Sequence, residues 1–286
     1  MHRREIIAAG VALAGSRALP STRRKVHSSG PPGRLRQSVC RWTYSGMQLR
    51  DLCRAGRSIG LAGIDLLPPD DWHTVREEGL VCSMGYPGPE RHNFIAEGFN
   101  DPAHHEMLLA ELEAAIPAAA DAGVPNVIAM FGNRNGRGDQ EAIDNCVAGL
   151  NRIKTLAEEK GVTICLELLN SRVDHHDYQG DRTSFGVAVV SQVASPRVKL
   201  LYDIYHMQIM EGDVIRTIRD NIQWIGHFHT GGVPGRHEID DTQELNYHAI
   251  ARAIADAGFG GFVAHEFLPT KDPLTSLREA VQICTV

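Results

Sequence analysis

Four residues whose side chains can bind a metal ion or move a proton follow one another through the second half of the chain: Glu167, Asp203, His229 and Glu266. Each lies at the end of a short apolar run, and successive members are 36, 26 and 37 residues apart, about one strand-and-helix unit each time. A charged group at the end of an apolar strand is costly unless it is paired or bound to a metal. Three carboxylates and one imidazole suit a divalent cation, with Mn²⁺ or Mg²⁺ as the first candidates. The spacing therefore predicts one divalent metal site built by these four residues.

Two further histidines lie beside the predicted ligands. His227 and His229 are two residues apart, so their side chains project from the same side of a strand. We predict His229, which is nearer the end of its run, as the ligand, and His227 as a hydrogen-bonded residue one layer below it. His265 alternates with Glu266, and we predict that it faces the helices and has a structural role.

The elements that must position these residues alternate between short apolar runs, typical of buried strands, and longer amphipathic stretches, typical of helices. The predicted strands are 38–43, 63–67, 80–84, 126–131, 163–168, 198–203, 224–229 and 261–267. The clearest predicted helices are 102–122, 139–160, 185–194, 212–220, 247–257 and 273–283. Eight strands each followed by a helix predict an α/β fold, a single (β/α)8 TIM barrel over residues 34–286. Such barrels carry their chemistry at the C-terminal strand ends, where the four residues would meet.

The first 33 residues differ from the rest of the chain. Arg3 and Arg4 precede an apolar stretch, 6–15, and small residues follow it, which is the order of a secretory signal peptide. The arginine pair resembles a twin-arginine signal, which implies export to the periplasm. Residues 19–33 are rich in Ser, Pro, Gly and Arg and are typical of a linker. We therefore predict a signal-like leader over 1–33; the alternative is a basic tail on a cytoplasmic protein.

Charge and composition exclude several classes of partner. The chain has a net charge of −6, but residues 1–36 hold eight basic residues and one acid, which leaves 21 basic and 34 acidic residues, or −13, in the remainder. So acidic a domain is a poor nucleic-acid binder.

No apolar run is long enough to span a bilayer. Neither a dinucleotide fingerprint nor a phosphate-binding loop occurs, the glycine-rich segment 132–138 included, so we expect no nucleotide cofactor. The six cysteines form no Cys-x-x-Cys pair, and we predict that they are buried. No feature selects an oligomeric state.

Three longer motifs resemble the hydroxypyruvate isomerase family of xylose isomerase-like barrels. They are DIYHMQIMEGD at 203–213, GVPGRHE at 232–238 and ELNY at 244–247. The resemblance covers about residues 36–284 and implies a divalent metal held by the four strand-end residues. It further implies that Glu167 and Glu266 move protons as catalytic residues, and that His206 and Arg236 hold substrate oxygens.

The expected chemistry is the isomerisation of a small hydroxy-carbonyl compound, with hydroxypyruvate the first candidate. A proton must leave the carbon beside a carbonyl and return to its neighbour. A metal on the carbonyl and hydroxyl oxygens would stabilise the enediolate as a Lewis acid. Glu167 and Glu266 could flank the substrate as base and acid, and Arg236 could pair with a substrate carboxylate.

Three alternatives remain open. His229 and the segment 173–182 differ from the isomerase pattern, and a histidine at 229 is more similar to the ketose 3-epimerases of the same superfamily. A DNA-repair endonuclease of this superfamily would share the four positions. It would also need histidines on the second and third strands, where this chain has Asp65 and Ser83, and the acidic domain opposes it. A non-enzymatic sugar-binding barrel is the third alternative, opposed by the two glutamates.

Overall fold

Eight parallel strands close into a barrel in which each strand pairs with the next and β8 pairs with β1. The computed structural model describes residues 33–88 and 93–286, and the leader predicted over residues 1–33 lies outside them except for Gly33. The strands are β1 Arg36–Cys40, β2 Gly63–Leu67, β3 Val81–Gly85, β4 Asn126–Met130, β5 Thr163–Glu167, β6 Val198–Asp203, β7 Ile225–Thr230 and β8 Phe262–His265. The predicted TIM barrel is therefore confirmed.

The helices surround this barrel and bury its outer face. They are α1 Leu49–Ile59, α2 Trp72–Glu77, α3 His105–Ala122, α4 Asp139–Lys160, α5 Thr183–Val193, α6 Ile204–Met210, α7 Val214–Asn221, α8 Tyr247–Asp256 and α9 Pro273–Ile283. Because strands with covered faces contact the core on both sides, they are nearly continuous apolar runs; every residue of β2, β4 and β5 is buried. Among the described helices, none is both long enough and apolar enough to cross a bilayer.

Glycines in the left-handed conformation end three of the helices. Gly60 follows α1 with φ 109°, Gly123 follows α3 with φ 77°, and Gly161 follows α4 with φ 70°. Residues with a Cβ rarely adopt this conformation, which lets the chain turn back toward the next strand. All six cysteines are buried, as predicted, and all six are free.

The structure differs from the sequence-based prediction at both ends of the strand set. The first predicted strand, 38–43, is displaced: β1 ends at Cys40, and Trp42–Tyr44 forms a short 3-10 helix. The last predicted strand, 261–267, ends at His265, so Glu266 lies one residue beyond it. Helices α1, α2 and α6 are not among the predicted helices; α1, for example, buries only Leu52, Cys53 and Gly56, a narrow apolar stripe.

Candidate active site

The four predicted ligands converge at the C-terminal rim of the barrel. Glu167 is the last residue of β5, Asp203 the last of β6, His229 lies near the end of β7, and Glu266 follows β8. One ligand atom from each lies within 4.8 Å of every other, and all four residues are buried. The structure thus brings together the residues that the spacing singled out, and their roles as ligands stay predictions.

The imidazole of His229 is oriented by a carboxylate from a strand that does not pair with β7. Its Nε2 atom lies 2.9 Å from Oδ2 of Asp65, a residue of β2. A carboxylate only accepts hydrogen bonds, so Nε2 carries the hydrogen. In the neutral ring, the Nδ1 lone pair is then left free for another partner.

That second nitrogen, His229 Nδ1, faces the three carboxylates. It lies 2.6 Å from Glu266 Oε2, 3.3 Å from Glu167 Oε1 and 3.9 Å from Asp203 Oδ2. The contact with Glu266 is short but does not have the direction of a hydrogen bond, and within residues 33–88 and 93–286 this buried nitrogen has no hydrogen-bond partner. Burial lowers the pKa of His229, but the charge of Glu266 outweighs it and raises the pKa well above its ordinary value, so this cluster attracts positive charge. The donor set therefore fits a divalent cation.

Arg236 supplies positive charge to two of the carboxylates. Its Nη2 atom donates to Asp203 Oδ2 at 2.8 Å and contacts Glu266 Oε2, and its Nε donates to the Glu266 backbone oxygen at 3.1 Å. Burial lowers the pKa of Arg236, but the charges of Glu266 and Asp203 outweigh it, so the pKa is raised and the group stays charged. The predicted substrate-binding arginine thus contacts two predicted ligands directly.

The carboxylates of Asp203 and Glu266 respond differently to burial. Burial raises the pKa of Asp203 to about 7, helped by the charges of Glu266 and Glu167 and opposed by Arg236 and His229. Burial also raises the pKa of Glu266, but Arg236, His229 and a hydrogen bond from Trp42 outweigh it, so that pKa is lowered. Neighbouring acids whose pKa values are moved apart are a common feature of acid–base sites.

His206 lies behind this cluster, at the start of α6. Asp203 caps that helix: its Oδ1 accepts the backbone N–H groups of Tyr205 at 2.8 Å and His206 at 3.3 Å. The His206 ring is fully buried, its Nδ1 accepts the backbone N–H of Asn170 at 3.1 Å, and its Nε2 lies 3.6 Å from Asp203 Oδ2. Burial and the charge of Arg236 lower its pKa well below the ordinary value, so the ring is neutral. Its substrate-binding role stays a prediction.

His227 and His265 occupy the positions predicted for them, one below His229 and the other away from the cluster. His227 Nε2 lies 3.1 Å from Asp65 Oδ2, below His229. His265 is fully buried and lies 3.1 Å from Thr230 Oγ1 and 2.9 Å from Gln37 Oε1, away from the cluster. Burial lowers the pKa of His265 to about 3, so it stays neutral.

A cavity of about 900 Å³ opens beside the cluster. Its wall includes Arg41, Trp42, Tyr86, Phe94 and His175. Trp42 connects this wall to the cluster, because its Nε1 donates to Glu266 Oε1 at 2.6 Å. None of the four cluster residues lines the cavity, so a small molecule in it would lie beside the aromatic wall and meet the cluster at Trp42.

Trp42 and Asp65 are the two contacts that sequence reasoning missed. Trp42 was placed inside a predicted strand, because the apolar run containing it continues past Cys40. The sequence does indicate a role for Asp65. It is an acid inside the apolar run GIDLL, and a buried acid requires a partner.

Comparison with known proteins places the chain among related barrels. A family model described as a xylose isomerase-like TIM barrel matches residues 72–284. A mouse protein named "Putative hydroxypyruvate isomerase" is 26% identical over 264 residues, which cover 91% of this chain and 88% of that protein.

Two bacterial relatives match over shorter stretches. A "2-oxo-tetronate isomerase" of Cupriavidus necator is 37% identical over 113 residues, 40% of this chain and 43% of that protein. A "D-psicose 3-epimerase" of Agrobacterium fabrum is 34% identical over 123 residues, 42% of this chain and 40% of that protein.

The crystal structure of an AP endonuclease, family 2, from Brucella melitensis has a TM-score of 0.76 with this chain. It is 21% identical, over 87% of this chain and 99% of that one. At this identity the likeness concerns the fold alone.

Proposed function

The chain belongs to the xylose isomerase-like TIM barrel family, and from that premise we propose that it is a metal-dependent isomerase of a small hydroxy-carbonyl compound. Its relatives are named isomerases and epimerases, so the chain is an enzyme of the isomerase class. Hydroxypyruvate is the first candidate substrate, with 2-hydroxy-3-oxopropanoate as product. The observation that carries the proposal is the buried set of three carboxylates around the free Nδ1 of His229.

The four residues Glu167, Asp203, His229 and Glu266 would hold the ion. Their oxygen-rich composition favours Mn²⁺ or Mg²⁺ over a structural zinc site. When bound, the ion acts as a Lewis acid that stabilises the negative charge developing on substrate oxygens.

The two glutamates have different surroundings, and we assign them different tasks. No side chain in the described ranges donates a hydrogen bond to the Glu167 carboxylate, which leaves it available to accept a proton from carbon. Glu266 accepts a hydrogen bond from Trp42 and contacts Arg236, and its pKa is lowered. With this lowered pKa Glu266 is ionised at neutral pH, so it can return a proton only after it has taken one up from the substrate. Glu167 is therefore the base of the first step, and Glu266 exchanges a proton on the opposite side of the substrate.

Arg236 is the group suited to an anionic substrate oxygen. Its guanidinium lies at the cluster and is held there by the Glu266 backbone oxygen and the Asp203 carboxylate. Its Nη1 atom also lies 2.6 Å from His206 Nε2, so a substrate oxygen would accept the remaining hydrogen of Nη1. Arg236 would thus hold the substrate where the glutamates can reach its carbon atoms.

Ketose 3-epimerase activity is the second candidate, favoured by the size of the cavity. A volume of about 900 Å³ exceeds what a three-carbon acid fills and would admit a six-carbon ketose. Epimerisation uses the same proton transfers, with the proton returned to the opposite face of the same carbon.

The test is incubation of the Mn²⁺-loaded protein in D₂O with hydroxypyruvate and, separately, with D-psicose. Isomerisation of hydroxypyruvate removes a proton from carbon 3 and places deuterium on carbon 2 of the product. Epimerisation of psicose places deuterium on carbon 3 with inversion. If neither compound gains carbon-bound deuterium while the metal is bound, the proposed proton-transfer function is wrong.

Export is a separate proposal that rests on the leader sequence alone. The pair Arg3-Arg4 before an apolar stretch supports a twin-arginine type of export to the periplasm. A reporter fused to residues 1–33 should leave the cytoplasm, and replacing both arginines by lysine should retain it. A reporter that stays in the cytoplasm with the native pair would contradict export.

A further inference from the structure

Asp65 is a fully buried carboxylate one layer below the metal-binding cluster. It lies in the middle of β2, which is separated from β7 by β8 and β1 in the closed barrel. Its Oδ2 accepts hydrogen bonds from two imidazoles, His229 Nε2 at 2.9 Å and His227 Nε2 at 3.1 Å. Its Oδ1 accepts the hydroxyl of Ser83 at 2.5 Å. Both carboxylate oxygens are thus used within the protein, below the substrate cavity.

The neighbouring thiol does not compete for this position. Cys40 Sγ lies 3.7 Å from Asp65 Oδ2 and 3.9 Å from His229 Nε2. Burial raises the pKa of Cys40 well above its ordinary value, so the thiol stays protonated and is a poor ligand. Cys40, Asp65 and His229 lie close enough to share an ion, but the hydrogen that His229 Nε2 donates to Asp65 leaves this nitrogen without a lone pair to bind one.

The direct bond decides which nitrogen of His229 meets the cluster. With the Nε2 hydrogen directed at Asp65, the ring presents Nδ1 to Glu167, Asp203 and Glu266. Rotating the ring would break the Asp65 bond and leave a buried carboxylate without one of its donors, which is costly.

We propose that Asp65 is the positioning residue of the metal site: it fixes the tautomer and the angle of the His229 ring so that Nδ1 can bind the ion. The inference rests on the proposed function, because it requires that a divalent ion binds at the cluster. Carboxylates behind a metal-binding histidine contribute about 10- to 100-fold to metal affinity in other proteins. Asp65 does not touch substrate in this arrangement and acts through His229.

The test measures Mn²⁺ binding to the substrate-free protein, by the electron paramagnetic resonance of free Mn²⁺. Asp65→Ala should weaken binding by about 10- to 100-fold, because the acceptor of the Nε2 hydrogen is lost. Asp65→Asn keeps the shape and one acceptor oxygen, since Ser83 can accept from the new amide, and should weaken binding by about tenfold through the lost charge. Asn also preserves the volume of the core, so this variant decides the question if the alanine variant does not fold.

A spectroscopic readout separates positioning from general damage. Spin-echo modulation of bound Mn²⁺ detects a directly coordinated imidazole nitrogen; it should be present in the native protein, absent in His229→Gln and reduced in Asp65→Ala at saturating Mn²⁺. Ser83→Ala is the matched control, because it removes a hydrogen bond from the other oxygen of the same carboxylate. Its Mn²⁺ affinity and nitrogen modulation should stay close to those of the native protein.

The outcomes distinguish this inference from the function on which it rests. A native chain that binds no Mn²⁺ overturns both the metal chemistry and the inference. A native chain that binds Mn²⁺ with a coordinated nitrogen, together with Asp65 variants of unchanged affinity and modulation, overturns the role of Asp65 alone. Equal losses of Mn²⁺ affinity in Ser83→Ala and Asp65→Asn would also overturn it. The effect would then come from disturbing the packing around Asp65 rather than from its bond to His229.

Discussion

The two halves of the barrel contribute different things to the site. Strands β5 to β8 end in the residues that would bind the ion and move protons, each at or next to a strand terminus. Strands β1 to β4 contribute Trp42 and Asp65, which contact the cluster through hydrogen bonds, and much of the cavity wall. The comparison indicates that one half carries the charge needed for chemistry, while the other orients that charge and shapes the space around it.

The largest effect is expected in the second half of the barrel. Glu167→Gln should lower turnover by at least about 10²-fold, because glutamine cannot accept a proton from carbon. Glu266→Gln should behave alike, and the double variant should be little worse than either single one, since the two act as a unit. The measurement is kcat at saturating Mn²⁺ with the substrate that the deuterium experiment identifies.

Excess metal separates a catalytic glutamate from one that is only a ligand. If Glu266→Gln regains near-native turnover in excess Mn²⁺, the two-glutamate mechanism is wrong. Glu159→Gln, an exposed position on α4, is the matched control and should leave kcat unchanged.

A smaller effect is expected in the first half. Trp42→Phe keeps an aromatic ring at the cavity but removes the N–H that donates to Glu266 at 2.6 Å. A hydrogen bond to a charged group contributes about 1.5–3 kcal/mol, so kcat/KM should fall at least about tenfold. Trp72→Phe is the control: its indole donates to the backbone oxygen of Leu67, so it should lower stability without changing kcat. A Trp42 variant with native kcat/KM would contradict the division between the two halves of the barrel. The first half would then shape the cavity without orienting the charged residues.

The same division explains what the sequence could and could not predict. Charged residues that end apolar runs at regular intervals are conspicuous, so the convergence of Glu167, Asp203, His229 and Glu266 followed from spacing and the barrel alone. The hydrogen bond between Asp65 and His229 could not be predicted in this way, because it depends on how the barrel closes. His229 is 164 residues away along the chain, and the pairing of β2 with β3 is irregular on both sides of Asp65. The position of Trp42 depends on a 3-10 turn that interrupts a strand-like run.

A third prediction concerns the loop that holds Arg236. Glu238 anchors this loop to the segment after β8: Oε1 accepts the backbone N–H of Thr270 at 2.8 Å and the hydroxyl of Ser276 at 2.8 Å. Burial raises the pKa of Glu238, but these hydrogen bonds outweigh it and lower the pKa to about 2. A carboxyl whose folded-state pKa is depressed stabilises the fold above its unfolded pKa of about 4.5 and loses that contribution as the pH falls toward 2.

Glu238→Gln should therefore lower the free energy of unfolding by about 1–3 kcal/mol at pH 7, and by less at pH 3. Thermal unfolding of both chains at pH 7, 5 and 3 measures the difference. If the difference in the free energy of unfolding between the native protein and the variant stays constant across this pH range, the charge of Glu238 does not contribute to stability. Glu159→Gln again serves as the exposed control.

The smallest effect is expected outside the barrel. A chain that begins at Arg34 keeps the hydrogen bond from Arg34 N to Val286 O at 3.0 Å and the exposed ion pair of Arg34 with Asp256. Because residues 1–33 have the composition of a leader and a linker rather than that of a βα unit, their removal should shift Tm by less than about 2 °C, as for other changes outside the core. A chain that begins at Ser38 is the contrast, since it also loses Arg36 and Gln37 of β1, and Gln37 lies 2.9 Å from the buried His265. Its Tm should fall much further, and equal Tm values for the two shortened chains would show that the start of β1 contributes nothing to closing the barrel.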